Sequence, residues 1–110
     1  MLTINGTDIT LTRGDTLTLT VVLKQGTQTY EPPQTDSIRI ACCKDWKGMP
    51  GYELIFSATI PLDTLTVTIP STTTGAMRYG AYNYDVEITH DDGCVDTVIS
   101  GRIMIVGEAK

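Results

Sequence analysis

The stretch Thr16-Leu17-Thr18-Leu19-Thr20-Val21-Val22-Leu23-Lys24 decides the fold class. Aliphatic side chains alternate with mostly threonine here, and a period of two places Leu17, Leu19, Val21 and Leu23 on one face of a strand. β-branched threonine suits the opposite, half-solvated face of a pleated sheet. The stretch is therefore predicted to be a β-strand with one buried face.

Working outward, six more segments have strand character. They are 7–12 (Ile9 and Leu11 inward), 37–43 (Ile38, Ile40, Cys42), 52–60 (Tyr52, Leu54, Phe56, Ala58), 64–69 (Leu65, Val67, Ile69), 81–90 (Tyr82, Tyr84, Val86, Ile88) and 94–106 (Val95, Ile99, Ile103, Ile105). Gly101 is expected to mark a bulge or bend in the last one. Asp91-Asp92-Gly93 is a hairpin signal, and Ser71-Thr72-Thr73-Thr74 is able to cap one helical turn.

About seven to eight short strands in 110 residues predict an all-β, immunoglobulin-like antiparallel β-sandwich, formed as a single domain over 1–110. Gly80-Ala81-Tyr82 has the spacing of a tyrosine corner. The Tyr82 hydroxyl is accordingly expected to bond to the backbone near residues 76–79.

Composition excludes several classes of function. The net charge is −5 and the eight Lys and Arg residues are scattered, so neither nucleic acid nor an anionic membrane is an expected partner. No signal peptide is visible, which predicts synthesis in a cytosol. The three cysteines, Cys42, Cys43 and Cys94, are interpreted as reduced thiols, at least one of them in the core.

The residues needed for catalysis are sparse. His90 is the one histidine, beside an acidic hairpin and without a recognisable nucleophile motif, so it is interpreted as solvated or as supporting the hairpin. The chain is predicted not to be an enzyme, with no catalytic residue, no metal site and no cofactor.

Two other motifs each allow a structural and a functional interpretation. Asp91, Asp92 and Asp96 form an acidic hairpin, with calcium binding as the less favoured alternative. Arg13-Gly14-Asp15 is interpreted as a turn before a strand, and receptor recognition is its less favoured alternative.

Trp46, Met49 and Tyr52 cluster in the loop between two predicted strands. Trp, Tyr and Met are enriched at the centres of protein interfaces, and loops at a sandwich end are common binding edges. The three residues are therefore a candidate partner-binding loop. The alternative, weighed about equally, is that Trp46 folds back over the open end of the core.

A family resemblance adds a setting. Arg13-Gly14-Asp15-Thr16, then Gly80 with Tyr82-Asn83-Tyr84-Asp85-Val86, then the closing segment 95–101, resemble small β-sandwich proteins of phage and prophage tail gene clusters. The chain is similar to the N-terminal domain of phage baseplate upper proteins. These motifs are structural, and no functional residue is carried over from them.

The resemblance implies a structural protein of the tail or baseplate that acts through protein–protein contacts. Its implied partners are other tail or virion proteins, with a homo-oligomer as a further possibility, and its implied location is the virion after cytoplasmic synthesis in the bacterial host. The alternative function is a carbohydrate- or host-surface-binding module.

Overall fold

The structure, a computed structural model, describes the backbone of residues 3–5, 8–25, 28–29, 32–46 and 48–107, and their side chains outside 3–5, 24–25 and 28–29. Thr7, the first residue of the predicted strand 7–12, lies outside the described residues. Within the described residues, ten strands and one helical turn follow one another. They are β1 (Thr3–Asn5), β2 (Asp8–Thr12), β3 (Leu17–Thr20), β4 (Lys24–Gln25), β5 (Gln28–Thr29), β6 (Ser37–Lys44), β7 (Glu53–Ile60), β8 (Thr66–Ile69), α1 (Ser71–Gly75), β9 (Gly80–Thr89) and β10 (Val95–Val106).

Two sheets form an immunoglobulin-like sandwich, as predicted. The large sheet has the order β1-β2-β10-β9-β6-β7, and the small sheet consists of β3 and β8, while β4 and β5 form a separate hairpin. One pair departs from the antiparallel prediction, because β2 runs parallel to β10 with Ile9 opposite Ile103. These two strands are far apart in the chain, so no hairpin imposes an antiparallel direction on them.

The core lies between the large and the small sheet, and period two decides which side chains enter it. Every predicted inward residue of β2, β3, β6 and β9 is buried, and Ile38 and Ile40 are fully inaccessible. Leu65 differs from its predicted strand geometry. It has a left-handed backbone (φ 53°) and is half-buried, so β8 begins at Thr66, two residues after the predicted start at residue 64.

A bulge changes which residues of β7 face the core. Cys42 lies opposite Phe56, but the next residue, Cys43, lies opposite Leu54, so Ile55 is the extra residue. The predicted inward position of Leu54 is therefore wrong, and its side chain is 45% exposed on the outer side of the large sheet. Tyr52, the first residue of the predicted strand and a member of the candidate partner-binding loop, precedes the strand and is exposed.

A second bulge affects β10, at a different place from the one predicted. Thr97 pairs with Glu87 and Ile99 pairs with Val86, which leaves Val98 as the extra residue. Val95 lies before this bulge and is 53% exposed, so its predicted place in the core is wrong. Gly101 pairs in register with Tyr84, and the predicted irregularity at Gly101 is wrong as well.

The tyrosine corner is confirmed at the start of β9. The Tyr82 hydroxyl donates to the Arg78 carbonyl oxygen at 2.9 Å and accepts from the Arg78 amide at 2.8 Å. Both bonds fix the connection between α1 and β9. The predicted hairpin turn is confirmed too, because Gly93 has a φ of 88° and its amide donates to the His90 carbonyl oxygen.

Candidate functional site

The loop between β6 and β7 carries the three predicted partner-binding residues. Two successive turns shape it: the Met49 amide donates to the Trp46 carbonyl oxygen at 2.9 Å, and the Tyr52 amide donates to the Met49 carbonyl oxygen at 3.1 Å. Gly48 supplies a φ of 94°. Gly51 lies directly against the Asp45 carboxylate, which would have to move to admit a side chain at this position.

Large apolar side chains are exposed along this loop and the start of β7. The exposed fraction is 41% for Trp46, 57% for Met49, 38% for Tyr52 and 45% for Leu54. Trp46 does not belong to the core cluster formed by the described residues, so it does not close the end of the core. Because isolated exposed apolar residues are ordinary but adjacent ones mark contact surfaces, the grouping singles out this region.

Trp46, Tyr52 and Leu54 line one shallow depression on the outer face of the large sheet. Its volume is about 180 Å³, and Cys43 and Ala41 of β6 also line it. Met49 is at the tip of the loop and does not line it. We call this depression, together with Met49, the aromatic patch. The structure thus brings two of the three predicted residues together and places the third beside them.

Charged side chains of β6 and β9 form the other wall of the depression: Arg39, Asp85 and Glu87. Arg39 lies directly opposite Glu87, whereas Asp85 lies opposite the uncharged residues Ala41 and Ser100. Burial raises the pKa of Asp85, and the neighbouring Glu87 raises it further, while Arg39 lowers it. The wall therefore holds more negative than positive charge.

Cys42 and Cys43 are adjacent in β6 and therefore lie on opposite faces of the large sheet. Cys42 enters the core, where burial raises the pKa of its thiol to about 12. Cys43, 7% exposed, lies on the outer side among the lining residues of the depression, and burial followed by the charges of Asp85 and Asp45 raises its pKa. Cys94 is exposed in the hairpin, and all three are free thiols.

His90 connects three segments at the opposite end of the large sheet. Its Nδ1 is 3.0 Å from Asp36 Oδ2, and its Nε2 is 2.8 Å from Asp96 Oδ2. The hydrogen bonds to Asp96 and Asp36 raise the pKa of His90 above its ordinary value. This geometry is that of a histidine supporting the hairpin, one of the two structural roles expected from the sequence.

The carboxylates of the acidic hairpin have different hydrogen-bond partners. Asp92 Oδ1 accepts from the Cys94 amide at 2.9 Å, and that bond lowers the pKa of Asp92. Asp96 bonds to His90 instead. Among the described residues, no group of three or more His, Cys, Asp or Glu side chains lies close enough to hold a metal ion.

Arg13-Gly14-Asp15 forms the turn between β2 and β3. Arg13 Nε donates to the Met77 carbonyl oxygen at 3.0 Å, and its guanidinium lies 5.5 Å from the centre of the Tyr79 ring. Gly14 has a φ of 89°, and the Asp15 carbonyl oxygen accepts from Thr74 Oγ1. The tripeptide thus joins the turn to the α1–β9 connection.

Sequence reasoning did not find Leu54, Cys43, Arg39, Asp85 and Glu87 as neighbours of the aromatic loop. Four of them would follow from an alternating pattern once β6 and β9 are known to be adjacent. The outward position of Leu54 depends on the bulge at Ile55, which no sequence signal marks.

The described part of the chain contains no helix long and apolar enough to cross a membrane.

Among solved structures, the chain is similar to the fibronectin(III)-like modules of Clostridium thermocellum CbhA. The two share 14% sequence identity with a TM-score of 0.52, and the similarity covers 98% of this chain and 96% of that chain. Identity at this level supports the β-sandwich fold alone. No protein-family model matches the sequence, and no curated protein matches it.

Proposed function

We propose that this chain is a non-enzymatic binding module that contacts another protein through the aromatic patch. One observation carries the proposal: Trp46, Met49, Tyr52 and Leu54 are all large, apolar and more than one-third exposed within a single loop and strand end. Tryptophan, tyrosine and methionine are over-represented in interface cores, and tryptophan and tyrosine dominate binding energy there.

The scaffold around the aromatic patch is suited to that task. β6 and β9 are paired over seven consecutive registers from Ser37 opposite Thr89 to Cys43 opposite Asn83. This pairing holds the β6 and β9 side chains of the depression in place, so little ordering of that part of the surface would oppose binding. β7 is also the edge strand of the large sheet, which adds backbone groups for strand addition next to the patch.

The setting proposed for this module is a phage or prophage tail, where it would contact other tail or baseplate proteins or further copies of itself. Support for the setting comes from the sequence resemblance to proteins of tail gene clusters. The fold similarity agrees with a protein-binding or a carbohydrate-binding module, and it favours no particular setting.

Catalysis is not part of the proposed function. Both ring nitrogens of His90 are engaged by carboxylates, Nδ1 by Asp36 and Nε2 by Asp96. A histidine that serves as general base needs one free nitrogen facing a nucleophile.

Particle composition tests the setting directly. Phage particles are induced from the source strain, purified and analysed by quantitative mass spectrometry. The expected result is this protein at a fixed ratio to the tail proteins, which also gives its copy number. Its presence only in the soluble lysate would reject a virion component.

A carbohydrate- or host-surface-binding module is the second candidate function. The observation in its favour is that Trp46 and Tyr52 line one depression together with polar side chains, as aromatic sugar platforms do. In that case Trp46→Ala would abolish glycan binding on an array of host cell-wall glycans while the melting temperature stays unchanged. An array without any signal for the unsubstituted protein would reject this candidate.

A further inference from the structure

The depression within the aromatic patch is too small for an ordinary small-molecule site. Its volume is about 180 Å³, whereas ligand pockets usually measure ~300–1,000 Å³. A space of this size suits one long side chain of a docked partner. The size alone leaves the chemistry of that side chain open, and the lining decides it.

The lining combines aromatic rings with carboxylates. Trp46 and Tyr52 form one wall, and Asp85 and Glu87 of β9 form the other together with Arg39 of β6, so acidic side chains outnumber the basic one by two to one. Aromatic faces attract cations, and a carboxylate binds the planar guanidinium group through two parallel hydrogen bonds. Arginine is the side chain that uses both kinds of contact at once.

Charge around Asp85 remains incompletely compensated within the chain. The residues directly opposite it, Ala41 on β6 and Ser100 on β10, are uncharged, and Arg39, the cation that lines the same depression, lies opposite Glu87 instead. Burial is the main cause of the raised pKa of Asp85, and the charge of Glu87 adds to it. A cation brought by a partner would complete the pairing.

We propose that the depression formed by Trp46, Tyr52, Asp85 and Glu87 binds an arginine side chain of a partner protein. The guanidinium stacks against the aromatic wall and donates to the carboxylates of β9, while the exposed side chains of Met49 and Leu54 contact apolar surface around that arginine. This inference rests on the proposed function and specifies the partner chemistry of the same surface.

The proposal gives Asp85 an unusual signature. Because burial and Glu87 disfavour its ionised form, Asp85→Asn is expected to leave the melting temperature unchanged or to raise it. The same substitution is expected to weaken arginine binding roughly tenfold, since it removes a charge-assisted hydrogen bond. A residue with a purely structural role would show the reverse.

The test is a titration of the full chain with N-acetyl-arginine amide, followed by the indole N–H resonance of Trp46, the single tryptophan. We expect a saturable shift with an affinity on the order of millimolar, weakened by added salt. N-acetyl-citrulline amide has nearly the same shape without the charge and is expected to give no saturable shift. Asp63→Asn, an exposed acid between β7 and β8, is the control for net charge.

Retained binding in Asp63→Asn with loss in Asp85→Asn and Glu87→Gln supports the proposal. Equal binding of citrulline, equal losses in all three variants, or no saturable shift would overturn it. A shift with a glycan but not with arginine would overturn it in favour of a sugar site. If the arginine probe fails while Trp46→Ala still prevents incorporation into particles, the proposed binding function stands and only the occupant is wrong.

Discussion

The two faces of the large sheet follow different rules. Apolar and polar side chains alternate along each strand, and the apolar ones on the inner face are buried almost without exception. In β9, for example, Tyr82, Tyr84, Val86 and Ile88 are all buried. On the outer face near the β6–β7 loop, Trp46, Tyr52 and Leu54 are apolar and exposed. Folding explains the first set through burial. Burial does not explain the second set, and our proposal assigns this surface to contact with another molecule.

The largest expected effect on the free energy of unfolding comes from truncating one aliphatic residue on each face. Ile40→Ala on the inner face should lower the free energy of unfolding by about 2–5 kcal/mol, because Ile40 is fully buried and the substitution leaves a cavity. Leu54→Ala on the outer face should lower it by less than about 1 kcal/mol. Urea unfolding measures both, and equal losses would contradict the distinction between the faces.

The tyrosines extend the comparison to hydrogen bonding. Tyr82→Phe removes the hydroxyl that both donates to and accepts from the Arg78 backbone, so a loss of about 1–3 kcal/mol is expected. Tyr52→Phe, on the exposed loop, is the matched control and should change the free energy of unfolding by no more than about 0.5 kcal/mol. Thermal unfolding of the two variants checks this. An unchanged free energy of unfolding in Tyr82→Phe would show that the hydroxyl bonds of the tyrosine corner do not stabilise the fold.

The His90 contacts, at the far end of the sheet, predict a pH dependence. The folded-state pKa of His90 is raised above its ordinary value of 6.5, so the stabilisation is fully present below that value and is lost as pH rises through the folded-state pKa. His90→Gln should therefore lower the melting temperature most near pH 6, and the gap to the unsubstituted protein should narrow towards about pH 9.

Melting temperatures of both proteins across this range measure the effect. Asp91→Asn, in the same hairpin, is the control for a changed charge and should show no such narrowing. A gap that stays constant with pH would mean that His90 contributes through packing and not through its charge.

How far the sequence predicts this molecule depends on the face. Alternation of apolar with polar residues, threonine in β3 and mostly Asn, Asp or Glu in β9, predicts these strands and their buried residues, because side chains along a strand have a fixed period of two. The Gly80-Ala81-Tyr82 spacing also predicts the bonds to Arg78 correctly. Both predictions rely on rules that act within a few neighbouring residues.

The failures occur where a bulge shifts the period. Leu54 and Val95 both precede an extra residue, Ile55 or Val98, relative to the strand partner, and each was predicted to be inward but is exposed. Which residue becomes the extra one depends on the register with another strand, and that information is not local. For the same reason the sequence identified Trp46, Met49 and Tyr52 but not the carboxylates of β9 beside them.

A small expected change in stability also belongs to Trp46→Ala, and this variant tests the central claim most directly. It should alter the free energy of unfolding by no more than about 0.5 kcal/mol, because Trp46 lies outside the core, and yet prevent the protein from joining purified phage particles. Val22→Ala, which truncates another exposed apolar residue outside the patch, is the control and should leave incorporation unchanged.

Quantitative mass spectrometry of particles induced from strains that encode each variant measures incorporation. Urea unfolding of each purified protein measures stability. Our account predicts that Trp46→Ala is absent from particles at normal stability. Normal incorporation of Trp46→Ala, or a loss of stability as large as that of Ile40→Ala, would contradict it.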